Sequence, residues 1–148
     1  MHKLIISQSL TGLNEYIKAE RGNRYKAAKL KADEQLGCRA SIREQLKGVK
    51  IEEPVIIRFK WFEKNLARDP DNVAFAKKFI LDSLVKEGVL VNDGQKNVIF
   101  FTDIVKVDRK NPRVEVDIYT LDEVVCPFCN EVCQKFSEFI NEKVERKG

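Results

Sequence analysis

Apolar and polar residues alternate along some stretches of this chain and recur at helical spacing along others, and the changes of period outline its elements. Residues 3–10 read as a strand. Thr11-Gly12-Leu13-Asn14 opens a long Ala- and Lys-rich helical stretch through about Gln35, interrupted only at Gly22-Asn23, with Gly37 as its stop and residues 40–46 as a further turn or two. Pro54 starts a largely alternating strand over 55–62. Val73, Ala76, Ile80 and Leu84 then repeat at helical spacing, which predicts a helix over 73–87 with Asn72 as N-cap and Gly88 at the C′ stop. Two further strands, 97–107 and 113–119, flank Asp108-Arg109-Lys110-Asn111-Pro112, whose residues suit a hairpin loop. The order β-α-β-α-β-β with a terminal helix predicts an α/β protein of the α+β type, a mixed sheet packed with helices.

At 148 residues and 43% hydrophobic content the chain can bury a core without staples. It contains no apolar run suited to a membrane span or signal peptide, so a soluble, cytoplasmic protein is expected. The net charge of +4 is uneven: residues 1–60 hold 13 Lys/Arg against 7 Asp/Glu, whereas residues 61–148 hold 14 against 16. The basic half is the expected phosphate-facing surface. Lys18, Arg21, Arg24, Lys26, Lys29 and Lys31, with Tyr16 and Tyr25 interleaved, are its candidate DNA-binding residues. A solvated helix face with packing aromatics is the plainer reading of the same run.

The most informative stretch is Arg68-Asp69-Pro70-Asp71-Asn72, followed by a helix and then by Asn92-Asp93-Gly94-Gln95. Pro70 disfavours helical backbone at Asp69, and in extended backbone residues two apart share a face, so Asp69 and Asp71 are expected to point together. Paired acids disfavour each other's ionised form unless a cation intervenes, which suggests a hard, oxygen-seeking metal. The same residues are also common turn formers.

In this block the chain resembles the RusA family of Holliday-junction resolvases, which are phage and prophage endonucleases. The likeness rests on Arg-Asp-x-Asp-Asn at 68–72, the Asp-x-Leu step at Asp82 and Leu84, the helix-ending Gly88, and the Asp-x-Gln step at Asp93 and Gln95, within an element order that includes Asn14 after the first strand. It covers roughly residues 3–118, and implies an endonuclease domain over 1–120 with a C-terminal helical extension over 121–148. The resemblance implies that Asp69, Asp71 and Asp93 bind one or two Mg²⁺ ions, that a catalytic lysine lies on the intervening helix, and that the protein is a homodimer. Counted back from Asp82 that lysine is Lys78, seven residues after Asp71 and so on the same face of one continuous helix. Between Asn72 and Asp82 the chain carries about three residues more than the compact family pattern, and Lys77 is the neighbouring alternative.

The activity these residues imply is Mg²⁺-dependent, structure-selective cleavage of four-way DNA junctions in recombination and repair. The main alternative is a non-catalytic DNA-binding or adaptor protein; a nuclease acting on forks, flaps or duplex is a second. His2 is the only histidine and lies near a chain terminus, which disfavours histidine base catalysis. Cys126, Cys129 and Cys133 offer three thiolates for a structural zinc ion, with Cys38 or His2 to complete the set. Their place in a stripe with Phe136, Ile140 and Val144 favours core packing instead.

Overall fold

The computed structural model describes residues 1–123, so the extension from residue 124 onward, with its three cysteines and the expected terminal helix, lies outside the described residues. The elements are β1 (His2–Ile6), α1 (Leu13–Gly22), α2 (Arg24–Gln45), β2 (Val55–Glu63), α3 (Pro70–Ala74), α4 (Lys77–Lys86), β3 (Val98–Val107), β4 (Arg113–Thr120) and a closing 3-10 turn, Leu121–Glu123. The expected α+β architecture is present: a mixed four-stranded sheet packed with helices.

Strand order is β1-β4-β2-β3, with β2 parallel to β3 and β4 antiparallel to both of its neighbours. The alternation of each strand sorts its side chains. Leu4 and Ile6 of β1, Val55, Ile57, Phe59 and Trp61 of β2, and Val114, Val116 and Ile118 of β4 face the helices and form the core with Cys38, Ile42, Phe79, Ile80 and Leu84. The other positions carry an ionic ladder in which Lys60 reaches Glu115 at 3.0 Å and Asp117 at 3.2 Å, and Arg58 reaches Asp117 at 2.8 Å. β1 lies at a sheet edge, and Gln45 at the end of α2 satisfies it, accepting from Ile5 N and donating to Ile5 O at 2.7 Å each.

Three local expectations are corrected. Residues 97–107 and 113–119 do not form a hairpin, because β2 lies between β3 and β4 and the connection crosses its end, where Asp108 N donates to Glu63 O at 2.8 Å. Turn residues mark where a chain reverses but not which strands pair, and β2 and β4, the two most buried strands, take the two doubly flanked positions. Gly37 does not stop α2, which runs to Gln45, because buried Gln35, Cys38 and Ile42 continue its packed face past the glycine. The single helix expected over 73–87 is two. Pro70 occupies the first turn of α3, Asp69 rather than Asn72 stands at the N-cap position, and the chain breaks at Phe75-Ala76 before α4 begins. Phe75 is held there by rings on either side, Tyr16 at 5.3 Å and Phe79 at 5.7 Å between centroids. Gly88, at φ +74, ends α4 as its sequence position requires.

Candidate functional site

The 68–72 block divides by direction. Arg68 turns into the fold, donating from Nη1 to Leu10 O at 2.9 Å and from Nη2 to Glu63 Oε1 at 2.5 Å, which ties the loop after β1 to the end of β2. Asn72 is buried, and its Oδ1 accepts from Asn14 N at 2.9 Å, so its amide docks α3 against α1 and satisfies a first-turn N–H of α1 instead of capping the helix on its own side. Gly12 makes that approach possible. A Cβ there would fall 2.6 Å from Asn72 Oδ1 and 2.9 Å from Arg68 Nη1.

Asp69 and Asp71 are left facing outward. Asp69 has the extended backbone expected before proline (φ −66°, ψ 153°), but Asp71 already lies in the first turn of α3, so the shared extended face does not form. The Asp69 side chain makes no capping hydrogen bond. Asp93 is half-buried in the loop before β3, where Asn92 performs the turn chemistry, its Oδ1 accepting from Asp93 N at 2.7 Å and Gly94 N at 3.1 Å. Among the described residues the carboxylates of Asp69, Asp71 and Asp93 enter no ion pair or hydrogen bond, whereas Asp82, Glu87, Asp103, Asp108, Glu115 and Asp117 are all partnered. Also among the described residues, no group of three or more His, Cys, Asp or Glu is assembled as a metal cage.

Between α3 and α4 the helical ladder is interrupted: Phe75 and Ala76 keep right-handed helical dihedrals but the bonds tighten to i,i+3 (Ala76 N to Val73 O, Lys78 N to Phe75 O), so a count of seven from Asp71 to Lys78 does not run along one regular helix. Lys78 projects to solvent, with 59% of its side chain exposed, and lies 3.4 Å from Asp82. Asp82 also receives Lys31 at 3.3 Å and Gln35 at 3.2 Å, so this pair belongs to the contact between α4 and α2. Lys77 turns the other way, onto β3, where its ammonium pairs with Asp103 and sits 4.2 Å above the Phe101 ring. α3 packs against that same strand. Asp103 was not singled out from sequence; the available signal was an acid between Phe101 and Val105 on the helix-facing side of β3.

The six basic candidates do not make one stripe. Lys18, Arg21, Arg24, Lys26 and Lys29 are exposed, whereas Lys31 is spent partly on Asp82. Helical geometry turns Lys26 and Lys29 away from the side of α2 that carries Arg24 and Lys31. Arg24 and Lys31 instead line a cavity of about 450 Å³ together with Tyr16. Tyr16 itself packs on Phe75 and Phe79, while Tyr25 is exposed. Cys38 is fully buried, and its thiol is pushed up to about 12, first by burial and then by the charge of Glu34. It packs as a core residue. Among the described residues no helix is long and apolar enough to cross a membrane. No known family model matches the chain, and no curated protein matches it significantly.

Proposed function

We propose that this chain is a Mg²⁺-dependent, structure-selective endonuclease of the RusA resolvase type, acting on four-way DNA junctions as a homodimer. The observation that carries the reading is the division of the 68–72 block. Arg68 and Asn72 use their side chains to pin the backbone, and Asp69 and Asp71, like Asp93 in the loop before β3, keep their carboxylates unpartnered among the described residues. Acids retained for turn or cap chemistry accept nearby N–H groups, and these do not.

Three carboxylates fit Mg²⁺ by donor type. Bound there, Mg²⁺ supplies a water of lowered pKa and charge balance for the attacked phosphate. The chain's own part is to hold Asp69 and Asp71 at the start of a pinned α3 and Asp93 in the loop before β3, to set a lysine from the first turn of α4 beside the phosphate oxygens, and to neutralise the DNA backbone with Lys18, Arg21, Arg24, Lys26 and Lys29. A four-way junction requires two symmetric nicks, which a two-fold dimer serves with one site per subunit. Such an activity belongs to recombination and repair in a phage or prophage setting.

Cleavage assays on a synthetic four-way junction, a fork and a linear duplex in Mg²⁺ test the proposal. Asp69→Asn, Asp71→Asn and Asp93→Asn should each lower junction nicking by about two or more orders of magnitude while junction binding persists, because shape is kept and metal charge is lost. Undiminished nicking by all three variants would overturn the metal site. Tight junction binding by the unaltered protein without any nicking would instead support the DNA-binding adaptor.

A further inference from the structure

Asp103 occupies an unusual place for a carboxylate. It lies on β3 opposite Phe59, on the side of the sheet that faces the helices. Its Oδ1 accepts from Nε1 of the buried Trp61 at 2.9 Å, and its Oδ2 receives the Lys77 ammonium. Two residues earlier on the same face, the Phe101 ring supports that ammonium from below. The carboxylate is thus anchored from inside the core and turned outward at its other oxygen. The pair stays open to solvent on one side, with 19% of the Lys77 side chain and 23% of the Asp103 side chain exposed, and Phe101 is 46% exposed beside it.

Lys77 is the first residue of α4, three residues beyond the end of α3, and α3 packs on the strand that carries Asp103. We propose that Asp103 is a positioning residue that holds Lys77 as the site's phosphate-facing cation, with Phe101 fixing the direction of the ammonium. The inference rests on the reading of Asp69 and Asp71 as metal-binding acids. Lysine has a long, flexible stem, and an ammonium already held in place needs no ordering when the phosphate arrives. Lys78 lacks such a cradle, since among the described residues it pairs with Asp82, which is shared with Lys31 and Gln35 of α2. The competing role for the Lys77–Asp103 pair is a structural tie between α4 and β3, which would leave the reaction untouched once folding is preserved.

Asp103→Asn separates the two roles, because asparagine keeps a carbonyl oxygen for Trp61 and removes the charge that holds Lys77. The full-length protein is assayed for single-turnover nicking of a four-way junction in Mg²⁺ and for junction affinity with Ca²⁺ in its place. Asp103→Asn and Lys77→Met should each slow nicking about 10- to 100-fold with affinity within about 3-fold, as expected for a misplaced group that acts on the reaction and not on binding. Lys78→Met should slow nicking less than Lys77→Met does, and Asp103→Glu should recover part of the loss seen in Asp103→Asn. Acylation of lysines, mapped by mass spectrometry, should show Lys77 reacting faster in Asp103→Asn, since its ammonium is released to solvent. Folded Asp103→Asn that nicks at the unaltered rate, or Lys78→Met as the damaging change, overturns the inference. If Asp69→Asn and Asp71→Asn abolish nicking while Asp103→Asn does not, the inference alone fails; if all three nick normally, the metal-site reading fails and takes the inference with it.

Discussion

The thiol of Cys38 has no exposed surface and sits among Ile42, Phe79 and Leu84 in the core, so its chemistry is set by what surrounds it. Burial disfavours the thiolate, the Glu34 carboxylate disfavours it further, and the pKa rises to about 12. Native protein treated with a thiol-alkylating reagent near pH 8 should therefore leave Cys38 unmodified, and denaturation should expose it; peptide mapping distinguishes it from the other three cysteines. Labelling of Cys38 at the rate of a free thiol in folded protein would contradict its placement. Asp69 and Asp71 illustrate the converse, since their exposure and lack of partners among the described residues make them available for chemistry. Their sequence context displayed the residue types, but which members of Arg68-Asp69-Pro70-Asp71-Asn72 face inward became clear only from the contacts of Arg68 and Asn72.

Among the elements, α3 is too short to be stable by its own hydrogen bonds and depends on docking. Asn72→Ala removes the acceptor for Asn14 N and leaves a vacancy beside Gly12, which should cost about 1–3 kcal/mol of unfolding free energy. Gly12→Ala fills the same contact from the other side, and its Cβ would displace the Asn72 amide or the Arg68 guanidinium, with a cost of similar size. Chemical denaturation measures both, and because the two residues touch, the double variant should be less destabilised than the two losses added together. Strict additivity would show that the amide and the glycine do not share one contact. The interruption at Phe75-Ala76 divides the stretch between Asn72 and Asp82 between α3 and α4. A count of seven from Asp71 to Lys78 presumes an unbroken helix, and the break turns Lys77, not Lys78, toward β3.

For the molecule as a whole, the ionic ladder on the sheet makes stability depend on acidity. Burial pushes the Glu115 carboxyl upward, but hydrogen bonds from Lys60 and Arg113 and the nearby positive charges outweigh it, bringing it from the ordinary 4.5 down to about 2. A carboxyl depressed in the folded state stabilises the fold fully above its unfolded pKa and loses that contribution as pH falls through the folded value. The melting temperature should therefore decline between about pH 4.5 and pH 2, and Glu115→Gln should flatten part of that decline while lowering stability near neutrality. An unchanged acid profile in Glu115→Gln would remove the ladder as its cause. Element types, their order, the α+β class and the Gly88 stop were legible in the sequence, because periodicity and local backbone preference act over a few residues. Pairing across the sheet was not: the 108–112 turn looked like a hairpin, yet β2 is inserted between β3 and β4, where both backbone edges of this largely buried strand are hydrogen-bonded. The candidate acids likewise stood out by type and spacing, whereas the inward roles of Gly12, Arg68 and Asn72, and the Asp103 cradle for Lys77, come from contacts between residues far apart in the chain. The sequence by itself determined which residues could carry charge and which stretches would coil or extend; tertiary packing decided which charges were consumed by partners and which were left facing solvent.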